Sequence, residues 1–446
     1  MNPSVEGVRQ YGTHNPLTRR AGVYGVPQEP QRLDAIIVPA SRPAPNLDEA
    51  ITLARAAGSW LLILCSRELR GTDAVRQLAT RSYRKAIVID VPTSYSHELF
   101  HFPSLSAISR ELPEERHLYT TDLSLKRNIG LVMARMLGWR RIFFLDDDIR
   151  DVTYPDLRTT VNMLGSYAAA GLWITEYPDN SIVCHANRMT GGSQDVFVSG
   201  AALAVDSAAD IGFFPNVYNE DWLFFFDYAA RNRLANSGLQ VTQLQYDPFA
   251  KPRRAAWQEF GDVLAEGLYS LLHVGRSVED ATADYWGQFL EARRSFLEDV
   301  VTRADSAPRV YRDQVVHRGQ LVYSVQRALK CLRTIDPDLC ARYVKAWRKD
   351  LVGWRRQVAE IGEVSVKEAL KAATVASGTG FRQHHRGSVP PGRGGAVHHC
   401  RGGHPPPAPD HEPNARTRRR GPGLLVVFAK HPVAKAVFVQ VVLPGG

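Results

Sequence analysis

From Arg32 onward, short apolar runs alternate with longer amphipathic segments, and this alternation leaves the chain few folds. The runs are "LDAIIVP", "WLLILCS", "KAIVIDV" and "RRIFFLDDD"; "NLDEAITLARAAG", "DAVRQLATRSY" and "SLKRNIGLVMARMLG" lie between them. Each run is too short for a buried helix and lacks the polar alternation of a half-exposed strand, so it reads as a strand covered on both faces. Consecutive parallel strands need crossover connections, which the amphipathic segments supply as right-handed helices. The expectation is an α/β, Rossmann-like fold with a mixed, mainly parallel sheet flanked by helices.

Downstream the pattern predicts a helix over "DLRTTVNMLGSYAAAG", a strand over "LWITEYP" and a strand running into a turn over "DVFVSGAALAVDSA". A helix over "NEDWLFFFDYAARNRL" and a strand over "LQVTQLQY" follow, with "IVCHANR" and its His185 as a loop. After Trp257 the periodicity is almost wholly helical. The organisation predicted is a flexible N-terminal arm (1–31), an α/β domain (32–256), a helical C-terminal addition (257–375) and a tail (376–446). The tail is rich in Gly, Pro, His and Arg, cannot build a core, and is predicted to be disordered.

Hydrophobic content of 44% and charged content of 23% suit a chain with a real core. The net charge of +9 favours anionic ligands, which a phosphorylated small molecule satisfies. No interleaved basic and aromatic groove supports nucleic acid as a partner. The five cysteines form no CxxC pair, as expected of reduced thiols. Without an apolar leader or an unbroken run long enough for a bilayer, a cytoplasmic protein with no membrane span is expected.

The fourth run drives straight into Asp146, Asp147 and Asp148. Like charges at the end of a buried strand are costly unless solvated or offset by a cation. In open α/β sheets ligands bind beyond the carboxyl ends of strands, and a hard divalent ion takes oxygen ligands there. In extended backbone Asp146 and Asp148 share one side and Asp147 the other. That makes a D-x-D pair the natural cation site and Asp147 the least important of the three.

Together, "IIVPASR", "KRNIGL", "FFLDDD" and "VSGAALAVDSAADIGFFPNVYNEDWLFFFDYAAR" resemble, in that order, the GT-A fold glycosyltransferases, most nearly family 2. The resemblance spans about Arg32 to Tyr246. It implies a nucleotide pocket at Pro39, Ala40, Ser41 and Arg42, with Ser66, Lys126, Arg127, Asn128 and Gly200 also facing the nucleotide sugar. It implies Mn2+ or Mg2+ on Asp146 and Asp148, with Asp147 beside the donor. The Glu220–Asp221 pair falls where inverting members carry their base, Asp221. A late histidine that some GT-A enzymes add to the metal falls on His273. Such an enzyme moves a sugar from a nucleotide-diphosphate sugar to an acceptor hydroxyl, with a metal and Arg127 or Lys126 stabilising the leaving diphosphate. The family usually ends its second strand on a base-reading aspartate; this chain has Cys65 and Ser66 there, so the base and the acceptor stay open. The long connection from Val91 to Thr121 is expected to face substrate. A sugar-phosphate nucleotidyltransferase would carry a glycine-rich basic loop after its first strand, which "VPASRPAPNLDE" is not. A non-catalytic nucleotide- or nucleic-acid-binding protein is the remaining alternative.

Overall fold

The computed structural model describes residues 8–20, 30–117, 121–175, 180–195, 197–307, 310–311, 314–315, 317–374, 424–428 and 438–442. Its strands are β1 (Arg19–Arg20), β2 (Ala35–Ala40), β3 (Trp60–Cys65), β4 (Ala86–Asp90), β5 (Arg141–Leu145), β6 (Ile149–Arg150), β7 (Ala169–Thr175), β8 (Ala202–Asp206) and β9 (Leu234–Gln243). Helices α1 (Asp48–Ala57), α2 (Gly71–Thr80), α3 (Pro103–Ile108), α4 (Glu114–His117) and α5 (Leu123–Met136) precede the aspartates. α6 (Tyr154–Asn162), α7 (Ile182–Met189), α8 (Glu220–Ala230) and α9 (Arg253–His273) follow. α10 (Ala283–Arg303), α11 (Arg318–Leu332), α12 (Pro337–Ala359) and α13 (Val366–Thr374) complete the helical part.

The sheet order is β1-β9-β7-β8-β5-β2-β3-β4. β5, β2, β3 and β4 are mutually parallel, while β8 runs antiparallel between β5 and β7. Alternate residues face opposite layers, as a pleat requires. Ile37, Leu62, Leu64 and Phe144 pack under α5, α8, α9 and the later helices. Ile36, Val38, Ile63 and Phe143 pack under α1, α2 and α6. The alternation of runs and helices therefore yields a mixed, mostly parallel sheet flanked by helices.

Three differences from the sequence reading have physical causes. First, Ala168, Ala169 and Ala170 have high helix propensity, yet the last two open β7 between β8 and β9. Fully buried small residues let strands and covering helices approach, so packing overrides propensity. Second, "IVCHANR" is helical, within α7, capped by Ser181 accepting from the Cys184 N–H. Third, residues 8–20 of the expected flexible arm are packed: β1 pairs in parallel with β9, and His14 is 2% exposed. The helices after Trp257, expected as an addition, share one buried cluster with the sheet. Phe102 stacks on Phe213 at 3.9 Å between centroids, with Trp354 of α12 beside both, and Trp347 meets Phe226 of α8. Truncating either tryptophan to alanine is expected to cost about 3–5 kcal/mol.

β10 (Val310–Tyr311) and β11 (Gln314–Val315) form a short antiparallel pair of their own, and within the span expected to be a disordered tail β12 (Leu424–Phe428) and β13 (Phe438–Val442) form another, with β13 adding antiparallel to β4. No helix among the described residues is long and apolar enough to cross a membrane.

Candidate functional site

β2 and β5 are neighbours, so the loop after Ala40 and the aspartates after Leu145 emerge together at their carboxyl ends. β8 runs the other way and delivers Gly200 and Ala201 to the same edge, where the Asp146 N–H donates to the Ala201 carbonyl at 2.8 Å. These segments, with the start of α8, enclose a cavity of about 680 Å3. Its walls hold Pro39, Ser41, Arg42, Lys126, Arg127, Asp146, Asp147, Asp148, Glu220 and Asp221. The volume is that of a small-molecule site.

The three aspartates do not alternate as extended backbone would have them, because β5 stops at Leu145 and the chain turns at once, with the Ile149 N–H donating to the Asp146 carbonyl at 3.2 Å. Asp147 and Asp148 both engage Arg42, while Asp146 belongs to Arg127. Asp147 is the aspartate with the most local work, contrary to the reading that made it least important. Its Oδ2 accepts the Ser41 and Arg42 backbone N–H groups at 2.6 and 2.7 Å, and its Oδ1 accepts from the Arg42 guanidinium, fixing the loop after β2. Asp148 Oδ2 accepts from Arg42 at 2.7 Å and from Gln243 Nε2 at 3.1 Å.

Lys126, Arg127 and Asn128 are consecutive on α5 and, about 100° apart around its axis, serve three different places. Buried Lys126 donates from Nζ to the Ala40 carbonyl at 2.8 Å and pairs with Asp122 at 3.4 Å. Burial pulls its pKa below the ordinary lysine value, with Asp122 opposing. Arg127 donates to Asp146 Oδ2 at 3.0 Å and to Glu220 Oε1 at 2.7 Å. Asn128 exchanges two hydrogen bonds with the Phe214 backbone and lines a different cavity. Burial raises Asp146 to about 6 despite Arg127. Burial also raises Asp221, against the charge of Arg127 and the backbone N–H groups of Gly200 and Trp222, which donate to it at 2.7 and 2.9 Å. Just before Glu220, Asn219 adopts a left-handed conformation (φ 60°) that opens α8 abruptly.

With Asn128, five expected residues do not line this cavity. Ala40 is fully buried and contributes its carbonyl to Lys126. Ser66 is buried behind it, donating its backbone N–H to the same carbonyl at 3.1 Å. Gly200 is a spacer: a Cβ there would sit 2.8 Å from Arg127 Nη1 and 2.9 Å from Asp221 Cβ. His273 lies elsewhere, with its Nε2 3.0 Å from His14 Nδ1 and its ring stacked on Tyr11. Burial and the charge of His14 lower its pKa to about 4. The set expected to hold a cation, Asp146, Asp148 and His273, thus does not converge, and among the described residues no group of three His, Cys, Asp or Glu could hold a metal ion. Oxygen donors suit Mn2+ or Mg2+, but each of the three carboxylates is already held by a guanidinium.

Residues the sequence reading missed also line the cavity: Arg67, Tyr218, Trp222, Gln243, Lys251, Arg254 and Trp257. The last three come from "AKPRRAAW", a basic cluster at the start of a 21-residue helical pattern; that signal was available. A second cavity of about 620 Å3 shares Arg67, Thr121 and Asp122 with the first. Tyr95, His97, Phe100 and Phe102, from the long connection after Val91, line it. His185 lines neither, and bonds to the Tyr246 hydroxyl at 2.9 Å.

No protein-family model and no curated protein matches this sequence. Among solved structures, the chain is similar to the mannosyltransferase PcManGT from Pyrobaculum calidifontis in complex with GDP-Man and Mn2+. That match is 13% identical, covers 73% of this chain and 88% of that chain, and has a TM-score of 0.34. The likeness is distant, and no residue role is carried over from it.

Proposed function

We propose that the protein is a glycosyltransferase that moves a sugar from a nucleotide-diphosphate sugar to an acceptor hydroxyl with inversion, Asp221 acting as the base. The observation carrying this reading is that Asp221, separated from Asp146 by seventy-five positions, lines the same cavity as the β5 aspartates, while Arg127 bonds both Asp146 and Glu220, the residue directly before it. Its carboxylate is held by two backbone N–H groups, which fix its orientation and leave lone pairs for an acceptor proton. A carboxylate raised by burial is a stronger base than an exposed one. Glu220 serves as a positioning residue, since it anchors Arg127 next to the base.

The divalent cation belongs to this reading only in a two-carboxylate form. Asp146 and Asp148 would hold it, ligand phosphate oxygens would complete its shell, and Arg42 would have to leave Asp148. Bound there, it would neutralise charge developing on a leaving diphosphate.

The test is turnover of a panel of UDP- and GDP-sugars with Mn2+, comparing wild type with Asp221→Asn. Loss of about 100-fold or more in kcat with donor affinity retained is expected for a missing base. Equal kcat in the two proteins would sink the assignment.

A further inference from the structure

We propose that Lys251 and Arg254 bind the phosphate groups of the ligand that enters the 680 Å3 cavity; this rests on reading the cavity as a nucleotide-sugar site. The two cations expected to meet a diphosphate are otherwise committed: Lys126 to the Ala40 carbonyl and Asp122, Arg127 to Asp146 and Glu220. Every carboxylate lining the cavity already has donors, either a side-chain cation of β2, its loop or α5 or, for Asp221, two backbone N–H groups.

Lys251 and Arg254 are different. They line the same cavity, and among the described residues neither forms an ion pair; Arg254 only lies over the Tyr246 ring at 5.9 Å. They also stand, with Arg253, at the start of the 21-residue α9, whose first turn has no acid and no side-chain cap. That helix end carries partial positive charge, so the basic residues raise an unbalanced potential that an anion would relieve. Gln243 is an independent observation that points to a ligand. It is 8% exposed, lines the cavity, donates from its amide to Asp148, and its buried amide oxygen has no hydrogen-bond partner among the described residues. A ligand hydroxyl is the donor it lacks.

The phosphate could belong to a nucleotide donor or to a phosphorylated acceptor. Calorimetric titrations of the full chain with UDP, GDP, uridine, guanosine, pyrophosphate and glucose 6-phosphate separate these. They are run at low and high salt on wild type and Lys251→Gln/Arg254→Gln, with apo thermal unfolding to confirm the fold. Lys251 is exposed and Arg254 half-buried, and among the described residues neither has an ion pair to lose, so the double variant is expected to melt with wild type. Its affinity for phosphate-bearing probes should fall about 10–100-fold, with nucleosides unaffected and the salt dependence reduced. Loss for the nucleoside diphosphates assigns the phosphate to the donor; loss for glucose 6-phosphate alone assigns it to the acceptor. Equal affinities in wild type and variant, or no phosphate-bearing probe bound by wild type, overturn the proposal. If pyrophosphate binding depends on these cations while no nucleotide is preferred over it, the cation site stands and the nucleotide-sugar reading falls.

Discussion

Arg127 of α5 and Glu220 at the start of α8, ninety-three residues apart in the chain, meet at 2.7 Å in the interior, and the same guanidinium reaches Asp146 at 3.0 Å. One side chain therefore ties the end of β5 to the start of α8 and fixes Asp221 relative to the aspartates. Arg127→Met removes the charge and leaves two enclosed carboxylates without it. Breaking a buried pair in this way costs about 3–5 kcal/mol. Urea unfolding should show that loss, and adding Glu220→Gln to the same chain should recover part of it. A variant as stable as wild type would show that the clamp is not structural.

Asp221 must be ionised to accept a proton, and burial lifts its pKa above the ordinary carboxylate value of 3.8. Turnover is thus expected to rise with pH along an acidic limb displaced upward from that value, and Asp221→Asn should remove the limb with the activity. Gly200→Ala is the companion variant, because its methyl would press on both Arg127 and Asp221. It should lower kcat by about 10-fold or more while leaving nucleoside affinity intact. An unshifted limb in wild type argues for a different base.

Asp146 gives a stability signature with a definite sign. Its folded pKa is about 6 against an ordinary 3.8, so the folded chain holds this proton where the unfolded chain has lost it. The contribution is greatest below the unfolded value and is lost as pH rises through about 6. Asp146→Asn does not titrate, so its Tm relative to wild type should climb between those limits, by about 2–5 °C. A pH-independent difference would mean that Asp146 titrates normally.

Arg42 competes with any cation for Asp148. The Mn2+ concentration that half-saturates the thermal shift of wild type, measured with UDP present, should fall in Arg42→Ala. Asp148→Asn should abolish the shift. A higher requirement in Arg42→Ala would place the ion away from these carboxylates.

Much of the sheet was legible because buried parallel strands leave a coarse signal: apolar runs with helical spacing between them. The meeting of Asp146 with Glu220 and Asp221 was legible only as an ordered set of short motifs. Individual roles were not. Lys126, Arg127 and Asn128 read as one binding patch, yet helical rotation sends them to the Ala40 carbonyl, the carboxylates and the Phe214 backbone. The D-x-D geometry assumed extended chain where the chain turns. Ala169 and Ala170 entered a strand because neighbours at both sides needed small residues there, and no local pattern records that. Nor does local pattern show that a polar segment will be held by distant acids, as the N-terminal one is.

That segment supplies the last prediction. His14 lies between Glu266, at 2.8 Å, and His273, at 3.0 Å, while Gln10 reaches Arg293 and the Arg9 carbonyl accepts from Ser270. α9 brings Glu259, Asp262 and Glu266 into the interior together, and burial pushes Glu259 up to about 7. Arg293 bonds Glu259 and Asp262 directly, whereas among the described residues Glu266 has its hydrogen bond from His14. His14→Ala would leave that carboxylate enclosed and unbonded, at a cost of about 1–3 kcal/mol or more if it stays charged. Removing residues 1–20 would also take away the Gln10 contact and the β1 strand, and should lower the urea midpoint further than His14→Ala does. Asn219 connects this cluster to the site through Asp262, at 2.9 Å, directly before Glu220. The truncated chain is therefore expected to lose turnover as well as stability. Truncation that leaves the midpoint where it was would return the segment to the flexible arm its composition suggests.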